Sequence, residues 1–274
     1  MLTTTLDAQQ KADLGLPLDG FNVILANPPF SGRLDKDRIV DDVKIGTSTA
    51  TELLFLKYMM DSLKSPSPSK GEGRGGGNNG GRCGVIVPEG VLFGSTGAHK
   101  ELRRQLIENN RVEAVMSLPG GVFQPYSGVK TSVLFFREGG TTERVLFLHA
   151  DNDGYKLDAK HDTPIEDDDL PGLLDAYRHK DERWTEWQAA FPPRPQGEGR
   201  GEGGVQWAEK WWFADAATLR ANDFNLSAGR YRPMNQEAVE HRDPRELLDE
   251  LAAIEAEIVE EVEALKAVLA EQAA

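Results

Sequence analysis

The chain has 274 residues, 39% of them hydrophobic, and a formal net charge of −14 from 31 Lys and Arg against 45 Asp and Glu. That is room for one large domain or two modest ones around a buried core. No apolar run approaches the roughly 18 to 20 residues that span a bilayer, and the acidic balance argues against a free-standing nucleic-acid binder, which carries a basic balance or stripe.

The single cysteine, Cys83, excludes an internal disulfide and, with five scattered histidines, a Cys-ligated zinc site; no metal is indicated. The opening residues MLTTTLDAQQKADLGL lack the charged-then-apolar pattern of a secretion signal, so a cytoplasmic location is expected. Much of the acidity sits at the end of the chain. Residues 234–274 carry 3 basic and 12 acidic residues, which leaves 28 basic against 33 acidic before them.

Two stretches break the globular pattern. Residues 65–82 read SPSPSKGEGRGGGNNGGR and residues 191–204 read FPPRPQGEGRGEGG, both containing GEGRG. Such Pro/Gly-rich, nearly apolar-free segments bury too little to offset their ordering entropy and are expected to be disordered surface insertions. A phosphate cradle, the sharper reading of so much glycine, needs an abutting strand and helix at a defined glycine spacing.

In chain order, Phe21–Ala26 (FNVILA) is a short apolar run, as expected of a strand buried on both faces. Thr51–Leu63 comes next, with Leu53, Leu54, Leu56, Met60 and Leu63 at helical spacing. Cys83–Val87 is predicted as a second buried strand and His99–Asn109 as an amphipathic helix with Leu102, Leu106 and Ile107 on one side. Strands are predicted at Val112–Leu118, Thr131–Phe136 and Val145–His149. The alternation predicts a parallel α/β sheet covered on both sides. The short connection REGGTTER predicts a hairpin between the last two strands, hence an antiparallel edge.

Beyond Ala150 the pattern turns to polar helix with aromatics, Tyr177, Trp184 and Trp187, and residues 151–233 are expected to be helical or irregular. A long acidic amphipathic helix is predicted within 234–274, opened by Asp243 and Pro244. Its apolar positions Leu247, Leu251, Ile254, Ile258, Val262, Leu265 and Leu269 form a heptad stripe with one stutter. So narrow a stripe packs on another helix, of this chain or of a partner.

The most informative tetrapeptide is Asn27-Pro28-Pro29-Phe30, at the end of the first predicted strand. Asn before Pro starts turns, and two prolines stop a ladder, so a chemically silent turn could use these residues. A turn does not require both prolines and an aromatic together. In open α/β sheets ligands bind beyond the carboxyl ends of the strands, where this turn falls. An exocyclic amino group on a nucleobase is a poor nucleophile because its lone pair is delocalised into the ring. Two acceptors set against its hydrogens, the Asn27 side-chain oxygen and the Pro28 carbonyl, draw the nitrogen toward tetrahedral geometry and free that pair. Proline suits the second place because its φ is fixed and it brings no N–H. Phe30 offers a flat apolar face for a base turned out of the duplex, offsetting part of the unstacking cost.

On these residues the chain resembles the amino-methylating S-adenosylmethionine-dependent DNA methyltransferases, and among them the modification (methylation) subunit of type I restriction-modification systems. The matching pieces, in order, are FNVILANPPFSG, ELLFLKYMMDSL, GRCGVIVPEGVLFG, LRRQLIENNRVEAVMSLPGGVF, SGVKTSVLFF and LRANDFNLSAGRY. The resemblance implies a Rossmann-like class I methyltransferase sheet, its C-terminal part, over residues 1–150, and a C-terminal helical tail. It implies methyl transfer from S-adenosylmethionine to N6 of adenine in DNA, within a hetero-oligomer containing a specificity subunit and a restriction (nuclease) subunit. Asn27, Pro28 and Phe30 inherit the catalytic role and Pro29 the substrate side; Phe123, in LPGGVF, is either a second face for the base or a plain core residue.

The family's FxGxG cofactor loop and its acidic ribose-binding residue precede NPPF, and only 26 residues stand before Asn27 here, without such a loop. An N-terminally truncated chain, deficient in cofactor binding by itself, is therefore expected. Two other readings stay open: a non-catalytic scaffold for a specificity subunit, and a methyltransferase acting on RNA or on protein glutamine.

Overall fold

The computed structural model describes residues 2–3, 6–30, 32–66, 80–192 and 207–233; most of both expected insertions, and the expected C-terminal helix, lie outside the described residues. Helix α1 (Ala8–Asp13) opens on a capping box, in which the Asp7 carboxylate accepts from the Gln10 N–H and the Gln10 side chain accepts from the Asp7 N–H. After it come β1 (Val23–Ala26), α2 (Thr51–Ser62), β2 (Arg82–Pro88), the short α3 (Glu89–Phe93), α4 (Gly97–Asn109), β3 (Asn110–Ser117), β4 (Thr131–Glu138) and β5 (Arg144–His149). Each element expected in this part of the chain is present, with its ends moved by at most two residues. Beyond it come the hairpin strands β6 (Asp153–Tyr155) and β7 (Pro164–Asp168), helices α5 (Leu170–Arg178) and α6 (Lys180–Ala190), strand β8 (Trp211–Asp215) and helix α7 (Ala216–Ala221).

Six strands form one sheet in the order β1-β2-β4-β3-β5-β8. The sheet is mixed, not parallel throughout: β1 pairs β2, and β3 pairs β5, in parallel, while β4 runs antiparallel between β2 and β3. The expected β4–β5 hairpin does not form, and β4 is an interior strand. The five residues between them pass over the start of β3 and deliver β5 to its far side. Gly139 and Gly140, at φ 82° and 86°, make that bend in a backbone region costly for other residues. Thr142 fixes the crossing: its buried hydroxyl donates to Asn110 O and accepts from Val112 N–H, both at 2.9 Å. Two strand spacings are roughly 10 Å, within reach of so short a connector. The sequence pattern of a hairpin and of this crossing is the same.

Residues 151–233 are not only helical and irregular. They add the small β6–β7 hairpin and, in β8, a sixth strand whose Trp211, Trp212, Phe213 and Ala214 are all buried. Its core is aromatic: Trp212 donates from Nε1 to Ala228 O at 3.1 Å, and Phe147 stacks on Tyr231 with centroids 5.1 Å apart. Lys210, just before β8, stands 2.7 Å from both carboxylate oxygens of Asp169 and 2.9 Å from Asp151, pinning the start of α5 to the sheet.

Helices α2 and α4 cover one face through Leu53, Leu56, Leu102 and Leu106, against Val85, Val87, Leu134 and Phe136. On the opposite face α5 lays Tyr177 against Phe135, centroids 5.4 Å apart. The Tyr177 hydroxyl donates to Glu113 at 2.7 Å and Arg137 Nε to the same carboxylate at 2.8 Å. Toward β1 this face is bare among the described residues. Val23 and Leu25 are 46% and 81% exposed, so the first strand is an edge strand with one open face, not one buried on both. A four-residue apolar run cannot tell the two apart.

Thr142→Val leaves a buried carbonyl and a buried N–H without partners and should cost about 2 to 4 kcal/mol in urea unfolding; a loss below about 0.5 would remove the crossing from its structural role. Burial pushes the Glu113 carboxyl up, but the bonds from Tyr177 and Arg137 outweigh it and hold it below the usual carboxylate range. Its contribution is therefore present above the unfolded-state value of about 4.3 and fades as pH falls through the lowered folded value. Tyr177→Phe should cost about 1 kcal/mol at pH 7, with the gap to the parent shrinking as unfolding is repeated from pH 5 downward.

Candidate active site

Because β1, β2, β3 and β5 all point the same way, the chain leaves their carboxyl ends along one edge of the sheet. Asn27 comes after β1, Glu89 after β2, Leu118 after β3 and Ala150 after β5. The corner formed by Asn27 to Phe30 is open to solvent: Asn27 and Pro29 are exposed, while Pro28 and Phe30 are half-buried. The residues just beyond the tetrapeptide are tied to α2. Gly32 O accepts from Thr51 N–H at 3.1 Å and Leu34 N–H donates to Thr49 O at 3.0 Å. At Gly32 the backbone comes so close to the helix that a Cβ would stand 2.9 Å from Thr51 Oγ1, hence glycine.

The second wall of the corner comes from the loop 118–130, between β3 and β4. The structure brings Phe123 to Phe30: the rings meet edge to face, centroids 5.3 Å apart at 68°. Phe123 is half-buried and therefore not a core residue. A flat group sandwiched between two rings needs roughly 7 Å between them, two van der Waals contacts of about 3.5 Å each. The two rings here touch, which leaves no such slot between them.

Glu89, which falls within the matching piece GRCGVIVPEGVLFG but is given no role by it, anchors the base of that loop. Its N–H donates to Lys130 O at 3.0 Å, and its carboxylate takes the Ser117 hydroxyl at 3.4 Å and faces Lys130 Nζ at 3.5 Å. One signal does mark it in the sequence, since a charged residue directly after a buried strand stands at the carboxyl edge. Beside it Thr131 Oγ1 and Ser132 Oγ are buried without a hydrogen-bond partner. No titratable group stands in the tetrapeptide, so its hydrogen-bonding atoms are neutral.

Two cavities lie away from this corner. One of about 390 Å³ is lined by Leu16, Leu18, Phe21, Tyr58 and Leu63 near the start of β1, and one of about 280 Å³ lies between the α3–α4 turn and residues 221–230. Among the described residues no three His, Cys, Asp or Glu side chains are placed to hold a metal ion, and no helix is long and apolar enough to cross a membrane.

A mixed α/β sheet with an open Asn-Pro-Pro-Phe corner at its carboxyl edge defines the class, and comparison with known proteins places the chain within it. The chain belongs to the N-6 DNA methylase family, whose model matches residues 2–241. It is 29% identical over 241 residues to the methylase subunit of the type I restriction enzyme EcoEI of Escherichia coli, a match covering 87% of this chain and 41% of that protein. The EcoKI methylase subunit of E. coli K12 is 25% identical over 220 residues, 79% of this chain and 36% of that one. A chain from a solved structure of the type I R-M system superposes with a TM-score of 0.56 at 30% identity, over 92% of this chain and 46% of that chain. The expected methyltransferase-type α/β sheet is thus the observed one, and the chain spans less than half the length of these relatives.

Glu89→Ala should free the loop base without unfolding the sheet. Amide hydrogen exchange of residues 119–129 is expected to accelerate at least tenfold while global stability changes by about 1 kcal/mol or less. Unchanged exchange would detach Glu89 from the placement of Phe123.

Proposed function

We propose that this chain carries the methyl-acceptor half of an adenine-specific DNA methyltransferase, the modification subunit of a type I restriction-modification system, working in the cytoplasm with a specificity and a restriction subunit. The observation that carries the reading is the meeting of Phe30 and Phe123 beside an exposed Asn27 at the carboxyl edge. The reaction is the transfer of a methyl group from the sulfonium of S-adenosylmethionine to N6 of adenine: the S–CH3 bond breaks as N–CH3 forms, S-adenosylhomocysteine leaves, and one N6 proton passes to solvent water at the open corner.

The residues present account for the acceptor. The Asn27 side-chain oxygen and the Pro28 carbonyl accept from the two N6 hydrogens, which pulls the lone pair out of the ring. Phe30, with Pro29 beside it, receives the everted base, and Phe123 closes on it from the neighbouring loop. Both acceptors are neutral, so the site needs no group of shifted pKa before attack. The described residues do not fit the donor in the same way: no strand, glycine-rich turn and acidic residue stand in order before β1 to hold an adenosyl group. No step is therefore assigned to donor-binding residues of this chain.

Joined to the donor-binding segment of a type I methylase subunit, and reconstituted with a specificity subunit and radiolabelled S-adenosylmethionine, the chain should deposit label as N6-methyladenine in duplex DNA. Asn27→Ala should lower the rate at least roughly 100-fold, the scale at which removing one oriented polar group acts, with duplex affinity nearly unchanged. Label in RNA or in protein glutamine alone, or partner binding without any methyl transfer, would replace this reading with one of the alternatives.

A further inference from the structure

The carboxyl edge carries a second feature that the acceptor corner does not use. Helix α3 leaves β2 at that edge, the chain turns at residues 94–96, and α4 runs back to the start of β3, so the first turn of α4 stands on the same edge as Asn27. The turn at residues 222–225 docks beside it, with Leu226 N–H donating to Leu92 O at 2.9 Å. Asp223 and Phe224 both adopt left-handed backbone, φ 54° and 55°, at a cost of roughly 1 to 2 kcal/mol each. The buried Arg103 side chain holds them there. Its guanidinium donates to Phe224 O at 3.0 Å and Asp223 O at 3.4 Å, and across the gap to Val91 O at 3.1 Å and Gly94 O at 2.9 Å.

Between these segments lies the cavity of about 280 Å³, with Phe93, Ser95, Lys100, Arg103, Asp223 and Arg230 among its walls. Three cations face one carboxylate, in a chain whose net charge is −14. We propose that this cavity seats a backbone phosphate of the DNA strand whose adenine is presented at Asn27. The identity of the nucleic acid rests on the function proposed above; the anionic chemistry rests on the cavity.

Lys100 and Arg230 are already held in place. Lys100 Nζ is 2.8 Å from Asp223, and Arg230 donates to the Asn222 side-chain oxygen from Nε at 2.9 Å and Nη2 at 2.6 Å. A phosphodiester oxygen therefore meets cations whose side-chain entropy is partly spent. Phe93, 51% exposed, offers an apolar wall to the adjoining sugar. The volume of about 280 Å³ holds a phosphate group with room for part of the adjoining sugar.

The test is duplex binding by the chain reconstituted with its specificity subunit, measured by fluorescence anisotropy between about 50 and 200 mM salt. Lys100→Gln with Arg230→Gln should weaken binding at least tenfold, equally across duplex sequences, and flatten the salt slope by about two. Asp223→Asn should tighten binding threefold or more, because Asn tolerates the left-handed backbone while the competing carboxylate is gone. A purely structural Lys100–Asp223 pair predicts the opposite or no change for that variant. Duplex affinity of the complex indifferent to all three substitutions overturns the proposal. So does inorganic phosphate raising the parent's Tm, and not the double variant's, while duplex binding ignores the cavity; the seat then takes a free anion. Asn27→Ala leaves these binding results in place, so a failure of the methyl-transfer reading registers separately.

Discussion

Everything at the carboxyl edge depends on how β4 is inserted. An antiparallel strand between β2 and β3 leaves the parallel strands on either side pointing the same way, and the crossing held by Thr142 then sets β5 beyond β3. Four chain exits thus share one edge. The loop between β3 and β4 starts and ends on that edge, which carries Phe123 over to Phe30.

Charge and chemistry are divided between different parts of the fold. The Asn27 to Phe30 tetrapeptide carries no ionisable side chain. Ionised groups hold structure together elsewhere: Glu113 joins α5 to β3 and β4, Lys210 joins the start of β8 to the start of α5, and Arg103 gathers four carbonyls from two segments. Arg103 is the most consequential of these. A buried guanidinium satisfied only by carbonyls keeps its charge, and so it adds positive potential to the cavity it lines while holding two strained residues in place.

The open face of β1 contrasts with the rest of the sheet. Its partner β2 buries Cys83, Val85 and Val87 under the helices, and burial pushes the Cys83 thiol up to about 12, an inert side chain in the core. Across β1 the alternation simply stops mattering on one side, where Leu25 is exposed next to Gly84. On the helical side, the residues just beyond the tetrapeptide are tied to α2 through Gly32 and Thr51.

The amino-acid order alone determined strands β1 to β5 and helices α2 and α4, though not the short α3, and it marked the tetrapeptide, because hydrophobic period, proline geometry and glycine placement act over a few neighbouring residues. It also pointed to Phe123, though with a core role equally open. The strand order, the crossing in place of a hairpin, the edge position of β1 and the sixth strand β8 were decided by tertiary structure. Trp211 to Asp215 is too short and too aromatic to show a strand period, and it becomes a strand because β5 offers it an edge to pair with. The approach of Phe123 to Phe30, the anchoring of its loop by Glu89, and the convergence of Lys100, Arg103 and Arg230 each join residues far apart along the chain. Contacts at such separation are set by the packing of whole elements, which no local pattern encodes.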